Sequence, residues 1–235
     1  MNALERWQQA ITSNLASGSV AGFKKDDTSF SSALAGRTRL QPGEASGEFK
    51  QYAPQATTRV TDTQGAIRQT GKDLDFAVQG AGYFQVKTSA GPAYTRNGEF
   101  HLDGTGKLMN GQGLEVHGES GPITVNLSQG PITVDRSGQI VQGKEIVGKL
   151  AVFDLTKTGQ LQRSGTGLFV TPENATPPRV EKPEIMQGYI EESNVVPLQE
   201  MVNLITVSRA YEVSQKLITS LDQTTRSAIE TLGTP

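Results

Sequence analysis

Apolar positions follow two different periods along this chain. Between Pro197 and Gly233 there is no other proline or glycine, and Leu204, Val207, Tyr211, Ser214, Ile218, Leu221, Thr225, Ala228 and Leu232 alternate three and four apart. That spacing predicts a helix with a narrow heptad seam, widened in the middle by Val213 and Leu217. Its start is marked as well. Ser193 or Asn194 can cap, Pro197 suits the first turn, and Glu200 favours the positive helix end. At 1.5 Å per residue the helix would be roughly 50 Å long, more than a globular body of this size needs. A second, shorter helix is predicted over residues 2–16, with Leu4, Trp7, Ile11 and Leu15 on one face. Gly18 and Gly22 stop it, and Phe23-Lys24 follow.

Between the helices the pattern changes twice. Ser, Thr, Gly, Gln and Arg dominate residues 31–66, and Pro42 and Pro54 exclude a long helix. An extended linker with at most short strands is expected there. From Ile67 to about Gln187 short alternating runs predict strands, including 76–79, 83–86, 93–96, 99–102, 123–127, 132–134 and 150–153. Gly80-Ala81-Gly82 reads as a strand bend, and Asn97-Gly98 as the turn of a hairpin. One turn recurs as apolar-Asp-x-x-Gly-x-apolar, at Leu102–Leu108 and at Val134–Ile140, with a looser copy from Asp154 to Leu161. The expected fold is mainly β with terminal α: a β-rich domain (67–190) flanked by an N-terminal helix (1–25), an extended arm (26–66) and a C-terminal helix (191–235), the two helices pairing as a coiled coil.

Composition narrows the function. The 235 residues carry a net charge of −2, and 35% are hydrophobic and 6% aromatic. That balance implies no general affinity for nucleic acid or anionic membranes. The absence of cysteine removes disulfides, zinc-thiolate sites and thiol nucleophiles. No apolar run is long enough to span a membrane, and no basic segment leads into an apolar core at the N-terminus, so neither membrane insertion nor a conventional signal peptide is expected. His101 and His117, the only histidines, have no carboxylate at ligand spacing. Asp73 and Asp75 lie on one face of a possible strand, where a turn-and-strand role is preferred to acid–base work. Lys24-Lys25 is a small basic spot beside Asp26-Asp27 and is electrically neutral as a group. No catalytic residue, metal site or cofactor site is expected. A helix that merely covers a sheet needs a wide apolar face, whereas this seam is narrow and carries Ser214 and Thr225.

Three segments together resemble the flagellar axial protein family, the rod and hook proteins of the bacterial basal body. The first is Ser13-Asn14-Leu15-Ala16-Ser17-Gly18-Ser19-Val20-Ala21-Gly22-Phe23-Lys24. In it Asn14, Leu15, Ala16, Gly22, Phe23 and Lys24 match the family pattern, and Ser13, Ser17 and Val20 depart from it. The second runs from Leu74 to Val86 and continues as Tyr94-Thr95-Arg96-Asn97-Gly98-Glu99-Phe100. The third is Gly188–Pro197 followed by Glu200–Ile205 and Arg209-Ala210-Tyr211-Glu212. The resemblance implies a structural subunit of the basal-body rod, not an enzyme. Such a subunit polymerises helically with itself and with neighbouring rod and hook proteins. It reaches the periplasm through the flagellar type III export apparatus and transmits torque to the hook. It also implies that Asn14, Gly22, Phe23, Glu192, Asn194 and Arg209 belong to the assembly surface, beside the seam residues Leu4, Trp7, Ile11, Leu15, Leu204, Val207, Tyr211, Ile218 and Leu221. A hook or hook-junction subunit is the alternative within the family. A β-rich carbohydrate-binding module or enzyme with a helical oligomerisation tail is the rival outside it, and it lacks the aromatic or acidic cluster it would need.

Overall fold

The computed structural model describes residues 2–39, 48–156, 161–172 and 175–233. It is mainly β with a helix at each end: α1 (Asn2–Ser17) and α2 (Pro197–Gly233). Pro197 is the first residue of α2, where its missing N–H removes nothing from the helix. The predicted cap differs. The Asn194 side chain is engaged elsewhere, and Ser193 Oγ accepts from the Val195 N–H at 3.2 Å, ahead of the helix.

Two compact units divide the chain. The first comprises Met1–Leu15, Asp27–Thr58 and Pro197–Pro235. In it the region expected to hold at most short strands forms two long ones, β1 (Asp26–Arg39) and β2 (Glu48–Val60), paired as a ribbon. The sparse apolar content that suggested a linker is what a ribbon solvated on much of its surface carries: Ser29 and Ser31 are exposed, and Thr28 Oγ1 and Thr58 Oγ1 lie 3.4 Å apart across the pair. A second determinant is α1. Trp7 packs edge-on against Phe30, ring centroids 5.4 Å apart, and Arg6 donates to the Ala56 carbonyl at 3.2 Å. The other side of α1 faces α2, where buried Asn14 donates to the buried Glu200 carboxylate at 3.3 Å.

The second unit comprises Ala16–Asp26 and Arg59–Val196. A nine-stranded antiparallel sheet is centred on Tyr83–Thr88, which pairs with Gly91–Thr95 and Glu115–Gly118. A three-stranded sheet joins Ile132–Val134, Gln139–Gln142 and Glu145–Lys149. Two late strands return to early ones, Glu184–Gln187 against Phe76–Gln79 and Tyr189–Glu191 against Ile67–Gln69. The main core gathers Phe76, Val78, Phe84, Val86, Leu108 and Ile140, all essentially inaccessible; each contributes roughly 1.5–3 kcal/mol by burial.

Two strand expectations fail. Asn97-Gly98 does not close a hairpin: Gly91–Thr95 pairs with Tyr83–Thr88 and with Leu168–Val170, while Phe100–Leu102 pairs with Leu108–Asn110. Gly98 is there for a close approach, since a Cβ would sit 1.7 Å from the Phe76 carbonyl oxygen. The segment 123–127 forms no strand, only a bridge from Thr124 to Lys107. The recurrent Asp turn holds at both full copies. Asp103 Oδ1 accepts from the Thr105 and Lys107 N–H groups, and Asp135 Oδ1 accepts from the Gln139 N–H. The looser copy runs into residues 157–160, outside the described residues.

Candidate functional site: a buried junction and an open helix

The three sequence segments that carry the family resemblance converge within the second unit. Phe23-Lys24, the end of the first, passes between the third segment and the 61–65 stretch. The Gly22 N–H donates to the Glu191 carbonyl at 2.7 Å, and the Asn194 N–H donates to the Phe23 carbonyl at 3.3 Å. Asn194 then clasps both sides. Its Oδ1 accepts from the Lys25 N–H at 2.6 Å, and its Nδ2 donates to the Thr61 and Thr63 carbonyls at 2.9 and 3.0 Å. Gly22 adopts φ 67°, and a Cβ there would meet the Arg96 carbonyl carbon at 2.2 Å, so the second segment leans directly on the first.

Charge sits at the centre of this junction. Lys24 is wholly buried, and its Nζ lies 2.7 Å from both Glu191 Oε1 and the Thr63 carbonyl. The Gly65 N–H donates to the same carboxylate oxygen at 3.0 Å, and Arg96 Nη1 lies 3.4 Å from the other. Arg96 also donates to the carbonyls of Val78, at 2.9 Å, and Gly80. Burial depresses the Lys24 ammonium below its ordinary pKa, and the bond to Glu191 opposes that shift. Burial together with the hydrogen bond to Asp62 raises the Tyr83 phenol. Arg163 seals one side: its guanidinium stacks 4.3 Å from the Phe23 ring, donates to the Lys24 carbonyl at 2.6 Å, and pairs with Asp26 at 2.9 Å. Lys24 is therefore no surface spot. Its partner Glu191 is 167 residues away, and charge balance within four consecutive residues could not reveal it.

Of the predicted assembly residues, Gly22, Phe23 and Asn194 lie in this junction. Glu192 lies beside it on the surface, paired with Arg68 at 2.7 Å. Leu4, Trp7, Ile11, Asn14 and Leu15 are on α1, with Ile11 and Asn14 buried. On α2 coverage stops abruptly. Glu200 and Val207 are buried, and Asn203, Leu204, Ala210, Tyr211 and Ser214 are half-buried, all on one stripe. Every described side chain from Gln215 to Ile229 is exposed, including Leu217, Ile218 and Leu221, and so is Arg209. At 1.5 Å per residue α1 spans about 24 Å and α2 about 56 Å, so α1 is too short to cover α2 along its length. The polar seam residues bond back to their own helix, Ser214 to the Ala210 carbonyl and Thr225 to the Leu221 carbonyl. The sequence reading overlooked Lys24, Glu191, Arg96 and Arg163. The one available signal was that Glu191 and Arg96 stand within the family-like segments.

Among the described residues no group of three histidines or acids is placed to hold a metal ion, and no helix is long and apolar enough to cross a membrane. Two family profiles match the chain. One, described as flagellar basal body rod FlgEFG protein C-terminal, covers residues 186–231; the other, flagellar hook protein FlgE/F/G D1 domain, covers residues 77–142. The flagellar basal-body rod protein FlgF of Caulobacter vibrioides is 32% identical over 98% of this chain and 93% of its own length. The rod protein FlgG of Buchnera aphidicola (subspecies Acyrthosiphon pisum) is 32% identical over 91% of this chain and 89% of its own. That of Bacillus subtilis is 28% identical over 91% and 88%. With both profiles falling on the segments that meet in the junction and lead into α2, this chain belongs to the flagellar basal-body rod proteins.

Proposed function

We propose that this rod protein completes its helical layer only in the polymer. Its two terminal helices pair with those of neighbouring subunits as coiled coils and form the inner wall of a tube, while the β unit forms the outer layer. One observation carries this reading: the α2 seam continues in register past Ser214, and its apolar residues there stand in water. Several apolar side chains on one stripe of an otherwise hydrophilic helix gain their burial when a second helix arrives. Contacts that join different faces of successive subunits generate an open helical polymer rather than a closed ring. The subunit acts beside other rod and hook proteins in the basal body and catalyses nothing; the polymer spans the periplasm and carries torque. Passage through the flagellar type III export channel suits a chain whose long helix folds fully only on arrival.

The test is Ile218→Asp in a strain deleted for the natural gene. The β unit should keep its folded circular dichroism signal while basal bodies lose the subunit and the cells stop swimming. Normal swimming by this mutant would sink the proposal.

A further inference from the structure

The second unit has one acid that nothing in the fold satisfies. Asp75 is 2% exposed, and its Oδ2 is buried without a hydrogen-bond partner. Its backbone is well used, donating to the Lys72 carbonyl and accepting from the Gly188 N–H, so the residue is held firmly while its carboxylate is left over. Asp75 lines a groove of about 360 Å³ whose walls include Leu74, Phe100, Val125, Leu127 and Ile132. A buried carboxylate without a donor costs the free subunit stability, and this one stands at a groove, where a group that arrives later can supply the donor. Lys72 lines the groove as well, so an occupant that pairs with Asp75 brings an apolar surface and a further cation.

The same chain offers that combination close to the groove but not in it. Gly143 and Lys144 form the turn between Gln139–Gln142 and Glu145–Lys149, with Lys144 and Ile146 exposed two residues apart. Ile146 is 66% exposed and Leu127, on the groove wall, is 57% exposed. Together with Val196, at the boundary with α2, they are the large apolar side chains that the described part of this unit exposes. The hairpin cannot fold back into its own groove. Gln142 fixes its base by donating to the Asn126 and Gly130 carbonyls, and Asn126 and Gly130 themselves line the groove. We propose that the groove at Asp75 receives the Lys144–Ile146 hairpin tip of a second copy, the ammonium meeting the Asp75 carboxylate and Ile146 packing on Leu127. The contact joins two different surfaces, so it suits an open polymer. It rests on the rod reading above, yet it concerns the β unit rather than the helices.

The chain has no cysteine, which makes the contact directly testable. Leu127→Cys and Ile146→Cys are introduced together in cells lacking the natural chain, and isolated basal bodies are oxidised. A reducible ladder of dimers, trimers and longer species is expected, with none from either single variant. Basal bodies that contain the chain but give no ladder overturn the inference and leave the rod reading intact. If basal bodies lack the double variant, its soluble full-length chain is oxidised at high concentration, and the absence of a ladder there overturns the inference. Adding Asp75→Asn should lower the ladder yield by at least about tenfold, since removing one partner of a buried charge pair costs that much or more. If that variant also lowers the thermal midpoint, Lys144→Ala on its exposed turn gives the same reading without touching the core. A ladder at full yield in Lys144→Ala overturns the proposed charge pair.

Discussion

The junction around Lys24 and the distal half of α2 draw on the same family-like segments and end in opposite states. In the junction the central polar groups are matched within the chain: an ammonium to a carboxylate and a carbonyl, an asparagine to the backbone of two segments. On α2 beyond Ser214 the apolar stripe meets only solvent. The difference teaches which parts of a rod subunit are finished before assembly. Closure fixes where residues 22–25 meet residues 191–194, whereas the distal half of α2 is left uncovered.

The largest effect should come from breaking the closed side. Glu191→Ala leaves Lys24 and Arg96 buried without their counter-charge, a class of change that costs about 3–5 kcal/mol. Denaturant titration of the full chain checks it. A loss under 1 kcal/mol would mean that the junction does not hold the second unit together, and the contrast with α2 would collapse. Next comes the covered face of α1. Ile11 is 2% exposed, and Ile11→Ala should cost roughly 2–5 kcal/mol of unit-one stability, read as earlier loss of helical signal on heating. Against it, Ile218→Asp at 46% exposure should change monomer stability by about 0.5 kcal/mol or less while removing assembly. Equal destabilisation by the two substitutions would show that the distal seam is already packed in the free chain.

How much of this was legible beforehand depended on the distance over which each feature is decided. Both helices could be read because periodicity and Pro197 are local. So could the Asp turns, whose hydrogen bonds span at most four residues. Pairing partners could not. Asn97-Gly98 looks like a hairpin from its dipeptide alone, but each flanking strand finds a neighbour elsewhere, and Gly98 answers to Phe76 across the core. The burial of Lys24 is decided by Glu191, and that of Asp75 by strands returning from residues 184–191. Of the candidate site, the heptad stripe was visible and its point of exposure was not, because exposure depends on which parts of the folded chain reach the helix.

The smallest prediction concerns the turns that frame the second unit, and the chain supplies its own control. Asp103 and Asp135 carboxyls are held below their ordinary value of 3.8, chiefly by the hydroxyls of Thr105 and Ser137 and then by backbone N–H groups. A folded-state pKa below the unfolded one means that the stabilisation is complete above pH 3.8 and is lost as pH falls through the folded value. A third turn has the same form without a titrating group. Asn110 Oδ1 accepts from the Gln112 and Leu114 N–H groups at 3.0 and 2.8 Å, as Asp103 does from Thr105 and Lys107. The sequence reading passed over this turn because it sought an acid. Asp103→Asn with Asp135→Asn should therefore keep the turns and flatten the fall in thermal midpoint between pH 5 and pH 3, whereas Asp103→Ala should lower the midpoint at both. An unchanged slope in the double asparagine variant would overturn the assignment of acid sensitivity to these two turns.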